Sequence, residues 1–186
     1  MRSLYYCGNV TALQNGDLHG QEVIDSACEL LSSITKPTAI RAEYVPPKRR
    51  FWGTTKRAQF IQPVPVWPLG VLLLTAEGRL FAAGETTRAV PPGHPGHTSV
   101  ERERRRHYTQ AAVASGFPQG TVIYFHSPAL PLREHEPQPE GSPLLWIHGQ
   151  CRVRWNRAFP DSTVDFAGYI TEHVQLLLET IARNEG

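Results

Sequence analysis

The chain has 186 residues, 40% hydrophobic and 19% charged, with a formal net charge of +2. That mixture describes a folded domain with its own core, excludes a disordered polyelectrolyte, and gives too little charge to argue by itself for a polyanionic partner. The longest apolar run, "PLGVLLL", falls far short of the ~20 residues that cross a bilayer.

Residues 1–16 have no clear period and end on "QNG", a turn signal. They read as a loosely attached extension of a single domain covering 1–186. The opening "MRSLYYCGNV" lacks the apolar run and cleavage pattern of a signal peptide. Cys7, Cys28 and Cys151 form no close pair, which argues against a disulfide framework and for a reducing compartment. The expected location is the cytoplasm.

A helix is expected in "GDLHGQEVIDSACELLSSI". Ile24, Ala27, Leu31 and Ile34 recur at helical spacing there, Val23 and Leu30 lie beside them, and Pro37 stops the run. A strand follows near 39–45 and is interrupted by "VPPKRR". Pro63, Pro65 and Pro68 confine residues 60–68 to an edge or an extended lead-in, because each lacks a ladder donor. "LGVLLLT" and "RLFAAGE" then make a hairpin around "AEG", with Gly78 left-handed. Alternation from Leu80 puts Phe81, Ala83 and Glu85 on one face.

The stretch "HTSVERERRRHYTQAA" predicts a helix over roughly 99–115, capped by Thr98 with Glu101 and stopped by Gly116. On a helical wheel anchored at Val100, the packing face carries Arg104, His107, Ala111 and Ala114, with Tyr108 at its side. Its arginines are scattered around the helix. A helix that reads DNA gathers its cations on one exposed face, so the segment reads as a core helix. Arg104 then needs an acid, and Glu85 is the expected partner. Glu85, Arg88, Arg104 and His107 form a candidate polar site at that end of the sheet.

"TVIYFHS" is a strand with Val122, Tyr124 and His126 on one face and Ile123 and Phe125 on the other. Residues 128–143 read as a polar loop. "LLWIHGQCRVRW" is a hairpin with a type II′ turn at Gly149–Gln150. The final helix, "TVDFAGYITEHVQLLLETIARN", is expected to start from a Ser162–Asp165 capping box. Its expected buried stripe is Phe166, Ile170, Val174, Leu177 and Ile181. The sum is an α+β fold: a mainly antiparallel curved sheet or partial barrel built from hairpins, packed by about three helices including the C-terminal one.

Other constellations are incomplete. Ser33 and Lys36 have Ser-x-x-Lys spacing without its companion elements. The Cys151 environment, "GQCRV", supplies no base or anion-stabilising turn. His94 and His97 lie in a Pro–Gly loop with no metal motif, so neither a metal nor another cofactor is expected. Lys48, Arg49, Arg50, Trp52, Lys56 and Arg57 interleave cations with an aromatic, the pattern of a single-stranded nucleic-acid surface. A charge-guarded strand edge gives the same pattern.

The segments "RLFAAGETTRA", "ASGFPQGTVIYF" and "CRVRW", followed by the C-terminal helix, resemble a family of uncharacterised actinobacterial proteins of about this length. Some members are labelled glutaminase. The resemblance spans roughly residues 40–182 and departs in the "EHEPQPEGSP" loop and the N-terminal segment. It implies an amidohydrolase in which Glu85, His107, His126 or Cys151 converge. The residues themselves favour a non-enzymatic domain that binds a small molecule or a protein partner, with nucleic acid the less favoured partner and no membrane.

Overall fold

The computed structural model describes residues 20–49, 55–91, 99–156, 158–159 and 161–184. The fold is α+β, with three helices among the described residues and a C-terminal helix as the last element. The chain divides into two compact units. One holds the residues through Pro37, Trp67–Ala83 and those from Pro128 on; the other holds Thr38–Val66 and Gly84–Ser127.

In the first unit, helix α1 (Gly20–Ile34) buries Val23, Ile24, Ala27, Cys28, Leu30 and Leu31, the apolar face expected from its spacing. The elements that follow in the chain, across both units, are β1 (Ala39–Val45), β2 (Lys48–Arg49), β3 (Thr55–Lys56), β4 (Gln59–Leu69), β5 (Leu72–Leu74), β6 (Leu80–Ala82), β7 (Glu85–Arg88), α2 (Val100–Ala114), β8 (Val122–Phe125), β9 (Leu144–Ile147), β10 (Gln150–Arg154), β11 (Thr163–Asp165) and α3 (Phe166–Asn184). α1 packs on α3, and Trp67, Leu69, Leu72, Leu74 and Leu80 from the strands complete the core between them. The β5–β6 hairpin turns at Gly78 with φ +75°, as its sequence requires.

Two details of this unit depart from expectation. The β9–β10 turn uses His148 and Gly149, both at positive φ (52° and 76°), and Ile147 pairs with Gln150. Two successive positive-φ residues make a type I′ turn, whose twist suits a hairpin, in place of the expected type II′ one residue later. At the start of α3, Ser162 belongs to the β10–β11 connection, where its carbonyl accepts the Trp155 N–H at 3.3 Å. Asp165 does the capping, its Oδ2 accepting the Gly168 N–H at 3.0 Å. The buried face of α3 is Phe166, Tyr169, Ile170, Val174 and Leu178, while Leu177 and Ile181 are half-buried. Tyr169 also ties the helix to the β4–β5 turn: its hydroxyl accepts the Val71 N–H at 2.8 Å and donates to the Leu69 carbonyl at 3.3 Å.

In the second unit the strand order is β4–β1–β8–β7. β4 and β1 are antiparallel, as are β7 and β8, but β1 and β8 run parallel through Ile40–Ile123 and Arg41–Tyr124. The sheet is therefore mixed, because the crossover from β1 to β8 is not a hairpin. Along Gln59–Val66 strand β4 pairs with β1, and along Trp67–Leu69 with β5. Each stretch pairs on one side, so Pro63, Pro65 and Pro68 cost no ladder bond on the other.

The chain leaves β6 and enters β7 through Ala83 and Gly84, so Glu85 begins a new strand and does not prolong the hairpin. A Cβ on Gly84 would meet the backbone carbonyls of Phe125 and His126. Backbone cannot yield as a side-chain tip does. Gly84→Ala is accordingly expected to lower unfolding stability by about 2–3 kcal/mol. A urea midpoint unchanged from the parent chain would show that the strand-to-strand approach is looser than described.

Candidate functional site

Helix α2 positions the chemistry of the second unit. Its N-cap is Ser99, without a side-chain capping bond. Thr98 lies outside the described residues, and Glu101, its expected capping partner, reaches along the helix to Arg104 and Arg105, each at 3.3 Å. At the other end Ser115 Oγ donates to the Ala111 carbonyl and accepts the Phe60 N–H, both at 2.7 Å, which pins the helix end to β4. Gly116, at φ +80°, ends the helix as expected.

The packing face differs from the expected one. Ala111 and Ala112 are buried and Tyr108 is half-buried, while Val100 is 87% exposed and Ala114 and His107 face outward. At 100° per residue this face is centred about 70° from Val100. The physical cause is Tyr108. Its ring lies 4.5 Å from Phe125 and 4.9 Å from Tyr44, and buries more apolar surface than a valine in the first turn. The core around it is Ala42, Phe60, Ala89, Ala111, Ala112, Ile123 and Phe125.

Glu85 and Arg104 do meet, at 3.4 Å. Glu85 pairs across the sheet with Phe125, so both project toward α2, and Thr87, on the same face, meets Thr109 at 3.3 Å. The Glu85 carboxylate also lies 3.2 Å from His126 Nδ1. Strict alternation would turn His126 away from Phe125; φ +51° at His126 breaks the alternation and brings it round to Glu85. Arg104 is 52% and Glu85 40% exposed, so this is a surface ion pair and not a buried one. Glu101 first and Glu85 second hold the Arg104 guanidinium above its ordinary pKa. Burial, and then Glu85, push the Tyr108 phenol up.

The other candidates separate. Arg88 sits opposite Val122 at the far end of β7, on the face away from Glu85. His107 belongs to a different feature, an open groove of about 480 Å³ lying wholly within this unit. It is lined by Tyr44, Pro47, Arg57, Ala58, His107, Gln110, Ala111 and Ala114. Of the cationic stretch, Lys48 and Lys56 face each other in the β2–β3 ladder and Arg49 pairs with Thr55. Arg50 and Trp52 lie outside the described residues, as do His94 and His97. Among the described residues no group of three His, Cys, Asp or Glu side chains is placed to hold a metal ion. No described helix is long and apolar enough to cross a membrane.

Cys151 and Cys28 belong to the first unit. Burial pushes the Cys151 thiol up to about 12 and the Cys28 thiol to about 11. Both are thiols at neutral pH, the unreactive form. Cys28 donates to the Thr75 carbonyl at 3.4 Å, as a core cysteine does. No protein-family model, curated protein or solved structure matches the chain.

Both Glu85 and its partners are substantially exposed, so solvent screens their attraction. Glu85→Gln is expected to cost no more than about 1 kcal/mol of unfolding free energy. A denaturation curve showing a loss several times larger would mean that the network is desolvated in solution.

Proposed function

We propose that this chain is a small-ligand-binding protein whose site is the groove between α2 and the β1 and β3 connections of the second unit. The observation that carries this reading is the composition of the groove. Ala58, Ala111, Ala114 and Pro47 supply its apolar lining, and Tyr44, Arg57, His107 and Gln110 its polar groups. An apolar surface with a few polar groups, at about 480 Å³, lies within the size range of small-molecule sites. Among the described residues the lining contains no Ser, Thr, Cys, Asp or Glu; its polar groups are a phenol, a guanidinium, an imidazole and an amide, which are suited to recognition.

The test is a fragment screen on the uniformly ¹⁵N-labelled chain. Hits are expected to move the amides of Tyr44, Ala58, His107, Gln110 and Ala114. Ala114 is exposed on the groove wall, so Ala114→Trp can fill the space without entering the core. It is expected to weaken every such hit at least about tenfold. Hits that cluster elsewhere, or that survive the tryptophan, would remove the proposal.

One observation favours a second reading, the amidohydrolase suggested by the family resemblance. Glu85 orients an imidazole, His126, at 3.2 Å, the arrangement of a carboxylate-steered general base. On this reading the chain releases ammonia from glutamine and Glu85→Gln abolishes the release. Equal ammonia release by parent and variant would end it.

A further inference from the structure

We infer that the second unit binds single-stranded nucleic acid on the face of its sheet that points away from α2. This face is separate from the groove, and the inference does not depend on the groove reading. The chain as a whole is nearly balanced at +2, but its two units are not. Thr38–Val66 and Gly84–Ser127, which make the second unit, carry eleven of the nineteen Lys and Arg residues and four of the seventeen Asp and Glu residues, a net +7 against −5 for the rest of the chain. Two of those four acids, Glu85 and Glu101, are already shared among Arg104, Arg105 and His126. A folded unit with that excess attracts polyanions over a distance and gains further when they shed their counterions on it.

Strand register gives the second, independent observation. Side chains alternate across the sheet, and Ile123 and Phe125 point to the core under α2, the unit's helix among the described residues. On the other face Val64, Arg41, Tyr124 and Thr86 stand side by side across all four strands, with Val122 and Arg88 adjoining. Thr86 and Arg88 are exposed and the other four half-buried. Val64, Val122 and Tyr124 belong to neither hydrophobic core. Tyr124 touches no other ring among the described residues. Arg41, its neighbour on β1, is held in place by donating to the Ser127 carbonyl from Nε at 3.3 Å and Nη2 at 3.2 Å. The pair Ala39–Val66 is buried at one end of the face, and Glu43 stands opposite Ile61 at the other. The accessible stretch is therefore centred on Tyr124, with Arg41 and Arg88 as its charges.

An aromatic ring in the middle of a four-stranded face, flanked by cations in a basic unit, suits an unpaired base. The base stacks on the ring while the phosphates on either side reach the arginines. A duplex keeps its base faces inside its own stack and offers the ring nothing. An acidic peptide answers the charge, but it brings no flat ring to lay on Tyr124. Charge and ring together favour the single strand.

The experiment follows the anisotropy of fluorescein-labelled oligodeoxythymidylate and oligouridylate on adding the full chain at low salt, and maps the contact by NMR. Binding is expected, weakening as salt rises, and the tighter of the two identifies the strand as DNA or RNA. The amides of Arg41, Thr86, Arg88 and Tyr124 are expected to move while those of His107, Gln110 and Ala114 stay in place. Tyr124→Leu is expected to weaken binding at least about fivefold, the worth of one stacked base. Tyr124→Phe keeps the ring and is expected to bind as the parent does. Arg88→Gln is expected to weaken binding about two- to fivefold and to flatten its salt dependence. No binding at low salt, or equal losses from Tyr124→Phe and Tyr124→Leu, would overturn the inference. So would a duplex that binds as tightly as the single strand, or shifts confined to the groove amides. Polyglutamate that binds as tightly and moves the same amides, with no loss on Tyr124→Leu, would overturn it in favour of an acidic polypeptide.

Discussion

The contact between Phe125 and Tyr108, with ring centroids 4.5 Å apart, sets the rotation of α2 on its sheet. Phe125 is fully buried and also meets Phe60 at 5.4 Å and Tyr44 at 6.1 Å. Burying a phenylalanine is worth about 1.5–3 kcal/mol, and each well-placed aromatic pair adds about 0.5–1.5 kcal/mol. No surface charge pair on this helix has comparable weight. Once Tyr108 is seated on Phe125, every other side chain of α2 has its direction. Ala111 and Ala112 turn inward, Arg104 swings to Glu85, and His107, Gln110 and Ala114 are left along the groove.

The same hierarchy explains what could be read from residue order. Long periodic segments were legible. The inward face of α1 and most of that of α3 followed from apolar spacing, and Gly78 and Gly116 marked a turn and a helix end where only positive φ would do. The Glu85–Arg104 pairing was legible too, because Arg104 lies on the packing side of the helix by either choice of wheel. Rotation was not legible, since α2 is rich in alanine and arginine and offers no dominant apolar stripe. Anchoring on Val100 favoured the wrong hydrophobe. The large ring won, and that could be seen only once the strand opposite was known to present Phe125.

Local alternation failed where the backbone left the extended region. His126, at φ +51°, turns toward Glu85, and the break at Ala83–Gly84 separates Glu85 from the hairpin it follows. Both events are set by non-local approach: Gly84 lies against the carbonyls of Phe125 and His126. Residue order names the glycine and does not name what comes close to it. The parallel pairing of β1 with β8 is hidden for the same reason, as more than seventy residues separate Ile40 from its partner Ile123.

The groove was the least legible feature, and its construction shows why. It is assembled from β1 and Pro47, from Arg57 and Ala58, and from one side of α2, and three of its described lining residues are alanines. Motif reading looks for reactive groups at fixed spacing, whereas a recognition site of this kind depends on where side chains are small. The cations around residues 48–57 were visible as a run, but their meaning depends on position. Lys48 and Lys56 stand exposed and opposite each other in the β2–β3 ladder, as on a charge-guarded strand edge, whereas Arg57 reaches the groove lining. A fold tolerates uncompensated like charge at modest cost when the charges are exposed.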